Sequence, residues 1–113
     1  MPAPIVDLGH LARYTGGDAA LNAEILKLFD GQATELVARL RAILAARDAK
    51  SWRETVHTLK GAARGIGAFA LGDAAAAAEP IDPADATTAT AALECLERTA
   101  DEVRVFIHQY LAA

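Results

Sequence analysis

The sequence is poor in the residues that usually carry covalent, metal or β-sheet chemistry. A lone cysteine, Cys95, excludes an internal disulfide framework and any zinc site built on several cysteines. Aromatic residues make up only 5% of the chain, and a β-sandwich would want more of them, with more Val, Ile and Thr. The longest uncharged runs are of about eight residues, so no transmembrane span is expected, since one needs roughly 20. The segment from Met1 to Tyr14 lacks a basic stretch followed by an apolar one, so no secretory signal is visible and a cytoplasmic location is expected. A net charge of −4 argues against a general nucleic-acid binder. With 113 residues there is room for one domain and none for a conventional ATP-binding module.

What is present is alanine, charge in blocks, and clear helix punctuation. Of the 60 hydrophobic residues, 28 are Ala, which suits close-packed helices. Residues 39–64 carry seven bases against Asp48 and Glu54, whereas the segments on either side are net acidic. A basic centre in an acidic protein points to an anionic ligand or an acidic partner surface, or to solvated helix faces around one turn.

Asp18, after Gly16-Gly17, predicts the N-cap of a long helix to about Arg47, with a stripe of Leu21, Ile25, Leu28, Leu36, Leu40 and Ile43. Ser51 with Glu54 reads as a capping box opening a second helix that ends near Gly65–Ala68. A short third helix is expected from Leu71 to Glu79, stopped at Pro80. Asp82 as N-cap, Pro83 at the first position and Asp85 in the first turn predict a last helix, with a stripe from Leu93 through Val103 and Ile107 to Tyr110. A short helical arm, about Val6 to Tyr14, precedes them. The expected fold is all-α: an antiparallel up-and-down four-helix bundle over 18–113 with a short N-terminal helix in a cap over 1–17.

The second helix carries the candidate chemistry. On a wheel of about 100° per residue with His57 at zero, Trp52, Val56, Leu59, Ala63 and Ile66 fall between roughly 180° and 260°. His57 lies nearly opposite the centre of that apolar arc and is expected to face solvent. Gly61, Arg64 and Lys60 share the outer face. A helix-interior Gly costs about 1 kcal/mol relative to Ala. In a chain that uses Ala so freely, an exposed Gly61 suggests close approach of another backbone to the imidazole. An exposed ring nitrogen is a competent nucleophile towards a phosphoryl group, whose oxygens Lys60 and Arg64 could neutralise. No phosphate-cradling loop of Walker type is present, because Gly61-Ala62-Ala63-Arg64-Gly65 has neither the spacing nor the Lys-Ser/Thr ending.

The run His57-Thr58-Leu59-Lys60-Gly61-Ala62-Ala63, with Gly67-Ala68 beyond it, resembles the signature of histidine-containing phosphotransfer (HPt) domains. Leu28-Phe29, Leu36, Leu40 and Leu44 before Asp48 add to the resemblance, which is strongest over about residues 21–79. It implies a four-helix bundle whose exposed His takes a phosphoryl group on Nε2 from the phospho-Asp of one receiver domain and passes it to the Asp of another. His57 would be the phosphoacceptor, Lys60 would steady the phosphoryl group, and Gly61 would leave room for the receiver. The resemblance implies no cofactor on this chain, with Mg²⁺ on the receiver, and partners in a hybrid histidine kinase and a response regulator. A monomer that is a phosphocarrier rather than an enzyme is expected, with no nucleic-acid or membrane partner.

Many relatives have Ser where Ala62 stands, a hydroxyl that orients the ring; here a backbone carbonyl or a water would have to do so. Gln32 interrupts the apolar stripe of the first long helix, and either bonds across the bundle or emerges beside the active face. Phe29 and Ala68 are further candidates for contact with a receiver. Glu79 is a further candidate for a place near the site, although sequence alone does not position it. His10 and His108 lack metal-ligand spacing and read as structural or surface residues, as does Cys95. Two other classes compete: a helical interaction module that never carries phosphate, and the dimeric phosphoacceptor domain of a sensor kinase. The latter normally has an acid beside its His and a Pro five residues on, where Thr58 and Ala62 stand here.

Overall fold

A computed structural model describes residues 4–113; residues 1–3 of the expected arm lie outside the described residues. Five helices follow one another: α1 (Leu8–Thr15), α2 (Ala19–Ala46), α3 (Ala49–Gly65), α4 (Phe69–Ala78) and α5 (Ala86–Ala112). Helices α2 to α5 form the bundle, each packed on the next and α5 back on α2, while α1 rests on α2. This is the all-α architecture expected from the sequence, with no strand among the described residues.

Four aspartates start four of the helices. Asp7, Asp18, Asp48 and Asp85 each accept a hydrogen bond from the backbone N–H three residues on, satisfying a donor that has no partner within the helix. Two expected caps are thereby corrected. Asp48 takes the cap in place of Ser51, whose N–H and hydroxyl both donate to it, at 3.1 and 2.6 Å. Asp85 replaces Asp82, which instead accepts from Ala84 N–H in the turn before α5. In both cases the carboxylate that caps has two oxygens to hold the backbone and a hydroxyl together, Thr88 serving at α5 as Ser51 does at α3.

The stripe of α2 also needs correction. Its buried members are Asn22, Leu26, Phe29, Ala33, Leu36 and Leu40, whereas Leu21 and Leu28 are exposed, Leu28 at 74%. Leu36 and Leu40 belong to both patterns. In the N-terminal half the choice is between two neighbouring apolar rows, and packing selects the row containing Phe29.

Gly67 joins α3 to α4 at φ +84, and a Cβ there would lie 2.7 Å from the carbonyl oxygen of Asp7. That close approach accompanies a bond from Asp7 N–H to the Gly67 carbonyl (3.0 Å), which ties the cap of α1 to the α3–α4 turn.

Trp52 is fully buried, and its indole N–H donates to the carbonyl of Ala78 (3.0 Å), tying the end of α4 to the start of α3. Trp52→Phe keeps most of the volume but removes this bond. It should cost about 1–3 kcal/mol, read as a lower urea midpoint with little change in slope.

Candidate functional site

With Trp52, Val56, Leu59 and Ala63 all buried, helical geometry turns the opposite face of α3 outward. The His57 side chain is 69% exposed on that face. Gly61, one turn on, is exposed as well, and a Cβ built there meets nothing within 4 Å. Nothing in this chain therefore demands glycine at that position, and helix-to-helix contact is not the reason for it.

The end of α4 supplies what holds the ring. The helix closes at Ala78, Glu79 follows, and Pro80 prevents its continuation, so the Trp52–Ala78 bond fixes the backbone next to Glu79. From there the carboxylate reaches back to α3. Its Oε1 lies 3.0 Å from His57 Nδ1 and 2.9 Å from Lys60 Nζ, and its Oε2 lies 3.1 Å from the same Nζ. Lys60 and Glu79 are largely covered, their side chains 20% and 24% exposed.

The hydrogen bond from Lys60, then that from His57, holds the Glu79 carboxyl below its usual value of 4.5. It is thus ionised at neutral pH, and an ionised carboxylate can only accept hydrogen bonds. Nδ1 therefore carries the proton of the neutral ring, and Nε2, without a partner among the described residues, keeps its lone pair.

Because the folded-state pKa of Glu79 is depressed, its stabilising contribution is complete above about pH 4.5 and is lost as pH falls through the folded value. Between pH 5 and 3 the urea midpoint of the wild type should fall more steeply than that of Glu79→Gln, which has no carboxylate to protonate. Parallel falls would show that the Lys60–Glu79 pair contributes nothing to stability.

The remaining sequence candidates divide. Gln32 is exposed and lines a groove with Glu35, Arg39, Glu54, Thr55 and Thr58, and this groove shares Glu54 and Thr58 with one lined by His57 and Glu79. It therefore emerges beside the His57 face rather than bonding across the bundle. Arg64 stays on the outer surface but turns towards α4: its guanidinium lies 3.9 Å from Asp73, and its stem runs over Gly72. Phe29 is only 4% exposed and Ala68 is fully buried. Both belong to the core, Phe29 through the row selected in α2 and Ala68 by turning inward after Gly67, so neither side chain offers a contact surface.

Two residues of this surface escape the sequence pattern. Glu79 lies 22 positions from His57, a separation without helical periodicity, and only the Glu-Pro junction hints that a side chain there is held in place. Leu28, expected in the core, lies one turn from Gln32 on the exposed side of α2. Away from this surface, His10 packs edge-on against Tyr14 and Phe69, and His108 Nε2 lies 3.1 Å from Asp30. A further concavity between α2 and α5, floored by Phe29, Ala33, Val37 and Ala100, shares no lining residue with either groove.

The sequence pattern of the Hpt domain family matches residues 24–110, and the chain belongs to that family, whose members act as histidine phosphocarriers in two-component phosphorelays and work with receiver domains. Among solved structures it is similar to histidine-containing phosphotransfer protein B (HptB) from Pseudomonas aeruginosa PAO1. The TM-score is 0.85 and the identity 28%, covering 96% of this chain and 95% of that one. No curated protein matches the chain.

Proposed function

We propose that His57 is the phosphoacceptor of this phosphorelay domain, taking the phosphoryl group on Nε2 from a receiver aspartate and passing it to another. The observation that carries this reading is the exposed imidazole whose Nδ1 is engaged by Glu79, which leaves Nε2 as the nucleophile. Lys60, held by the same carboxylate as His57, is the cation we assign to the phosphoryl oxygens. We count Gln32 and Gly61 to the docking face beside the ring, with Leu28 one turn along α2 and Arg64 on the outer surface of α3 at its margins, apolar and polar in turn as in a transient contact. The receiver supplies the aspartate and the Mg²⁺, so this chain needs no cofactor of its own and acts as a carrier rather than an enzyme.

The partners are the receiver domains of a hybrid histidine kinase and of a response regulator, met in the cytoplasm. No helix among the described residues is long and apolar enough to cross a membrane. One core shared by α2 to α5 supports a single domain over 1–113. We take the protein to be a monomer, which light scattering would check against the dimer required of a sensor-kinase phosphoacceptor domain. The direct test is incubation with a phosphorylated receiver. Phosphate on this chain that is labile to acid and stable to base supports the reading, and its absence with every receiver of the source organism removes it.

A further inference from the structure

We propose that Arg53 binds the phosphoryl group carried by His57, as a second cation beside Lys60. The inference rests on His57 being the phosphoacceptor. Arg53 is exposed on α3 one turn before His57, and both line the shallow groove that Glu54, Thr58 and Glu79 complete. Four cations share the outer face of this helix, and three have a carboxylate within 4.0 Å: Lys50 has Glu54, Lys60 has Glu79 and Arg64 has Asp73. Arg53 has no such partner among the described residues.

Helix geometry brings Arg53 and the ring together. Cα–Cβ bonds tilt towards the helix N-terminus, so the His57 ring leans over the turn that bears Arg53. Glu79 holds Nδ1, which leaves Nε2 on the ring edge away from that carboxylate. At about −40° on the α3 wheel, Arg53 stands on the same flank as Lys60, so the two cations bracket the imidazole along the helix. An extended arginine spans more than the rise of one turn, about 5.4 Å, and its planar fork presents paired N–H donors to a phosphoryl group.

Charge balance gives the free guanidinium its task. Before transfer, Lys60 and Glu79 cancel each other and the ring is neutral. In the transfer, the Nε2 lone pair attacks the phosphorus of the receiver's acyl phosphate. The P–O bond breaks, its electron pair leaves on the aspartyl carboxylate, and the hydrogen on Nδ1 stays. The product sets close to two negative charges on the phosphoryl oxygens against one positive charge on the ring. Lys60 meets them only by loosening its hold on Glu79, whereas Arg53 has no ion pair to break. Glu54, the other acid of the groove, has Lys50 4.0 Å away and is well exposed, so it opposes the phosphoryl group only weakly.

The experiment phosphorylates the chain with potassium phosphoramidate, from which Nε2 displaces ammonia at phosphorus without any partner protein. The ³¹P resonance that is missing from His57→Gln belongs to phosphorylated His57, and its shift is followed against pH in wild type, Arg53→Gln and Arg53→Lys. A nearby cation favours the dianion. Arg53→Gln should therefore raise the midpoint of the second phosphoryl ionisation by about half a unit, a loss of about threefold in preference for the dianion. Arg53→Lys keeps the charge and should stay near the wild type. Replacing an exposed side chain without a partner leaves the bundle folded, which circular dichroism checks. Equal midpoints for wild type and Arg53→Gln, or for Arg53→Lys and Arg53→Gln, would overturn the proposal and leave His57 as the acceptor. A wild type without the His57 resonance would instead remove the phosphoacceptor role itself, and this proposal with it.

Discussion

His57→Gln should abolish phosphate acceptance while leaving the bundle folded. The side chain is 69% exposed and packs against nothing in the core, so its replacement should change stability by no more than about 0.5 kcal/mol. The carboxamide of Gln has no basic nitrogen lone pair, and no neighbouring group can stand in for it. Lys60 is committed as an ammonium to both oxygens of Glu79, and His10 and His108 lie elsewhere, engaged by Phe69 and Asp30. Incubation of the variant with a phosphorylated receiver should therefore give no labelled protein, against full labelling of the wild type. Helical circular dichroism and the urea midpoint should stay within error. Transfer at the wild-type rate would mean that another residue accepts the phosphate, and the functional reading of α3 would fall with it.

The legible parts of the molecule are those written in local spacing. The outward position of His57 follows from four apolar residues on one arc of α3, because helical geometry converts spacing into direction without reference to the rest of the fold. The start of α2 and the end of α4 follow from Asp18 and from Glu79-Pro80 in the same way. Long-range contacts are not legible. The Lys60–Glu79–His57 cluster joins two helices across a turn, and nothing in the periodicity of either helix reports the other's register.

The misplaced stripe of α2 has a related cause. Apolar spacing exists in duplicate there, since Leu21 and Leu28 on one row compete with Leu26 and Phe29 on the next, and only the packing against α3 and α5 decides between them. Gly67 and Ala68 differ again. They look like part of the functional signature because they follow His57 at fixed spacing, yet their work is to let Asp7 approach the chain and to fill the core.

Gly61→Gln should separate stability from function in opposite directions. Gly is about 1 kcal/mol worse than a good helix former in the interior of an exposed helix, and Gln is among the better ones. A Cβ at position 61 meets no atom within 4 Å, so it creates no clash within the chain. The variant should therefore be more stable than the wild type by up to about 1 kcal/mol, seen as a raised urea midpoint. The same side chain stands one turn from His57, and, with His57 as the proposed phosphoacceptor, in the space through which a receiver would bring its aspartyl phosphate to Nε2. In-line attack needs the reacting atoms about 3–3.5 Å apart, and a displacement of about 1 Å can cost about a hundredfold. Transfer efficiency should fall at least about tenfold, chiefly through KM because docking is obstructed while the ring and Glu79 are untouched. A variant both more stable and equally active would show that the glycine is not kept for the partner. A more stable but poorly docking variant would show that this Ala-rich helix gives up stability at one position to leave room for another protein.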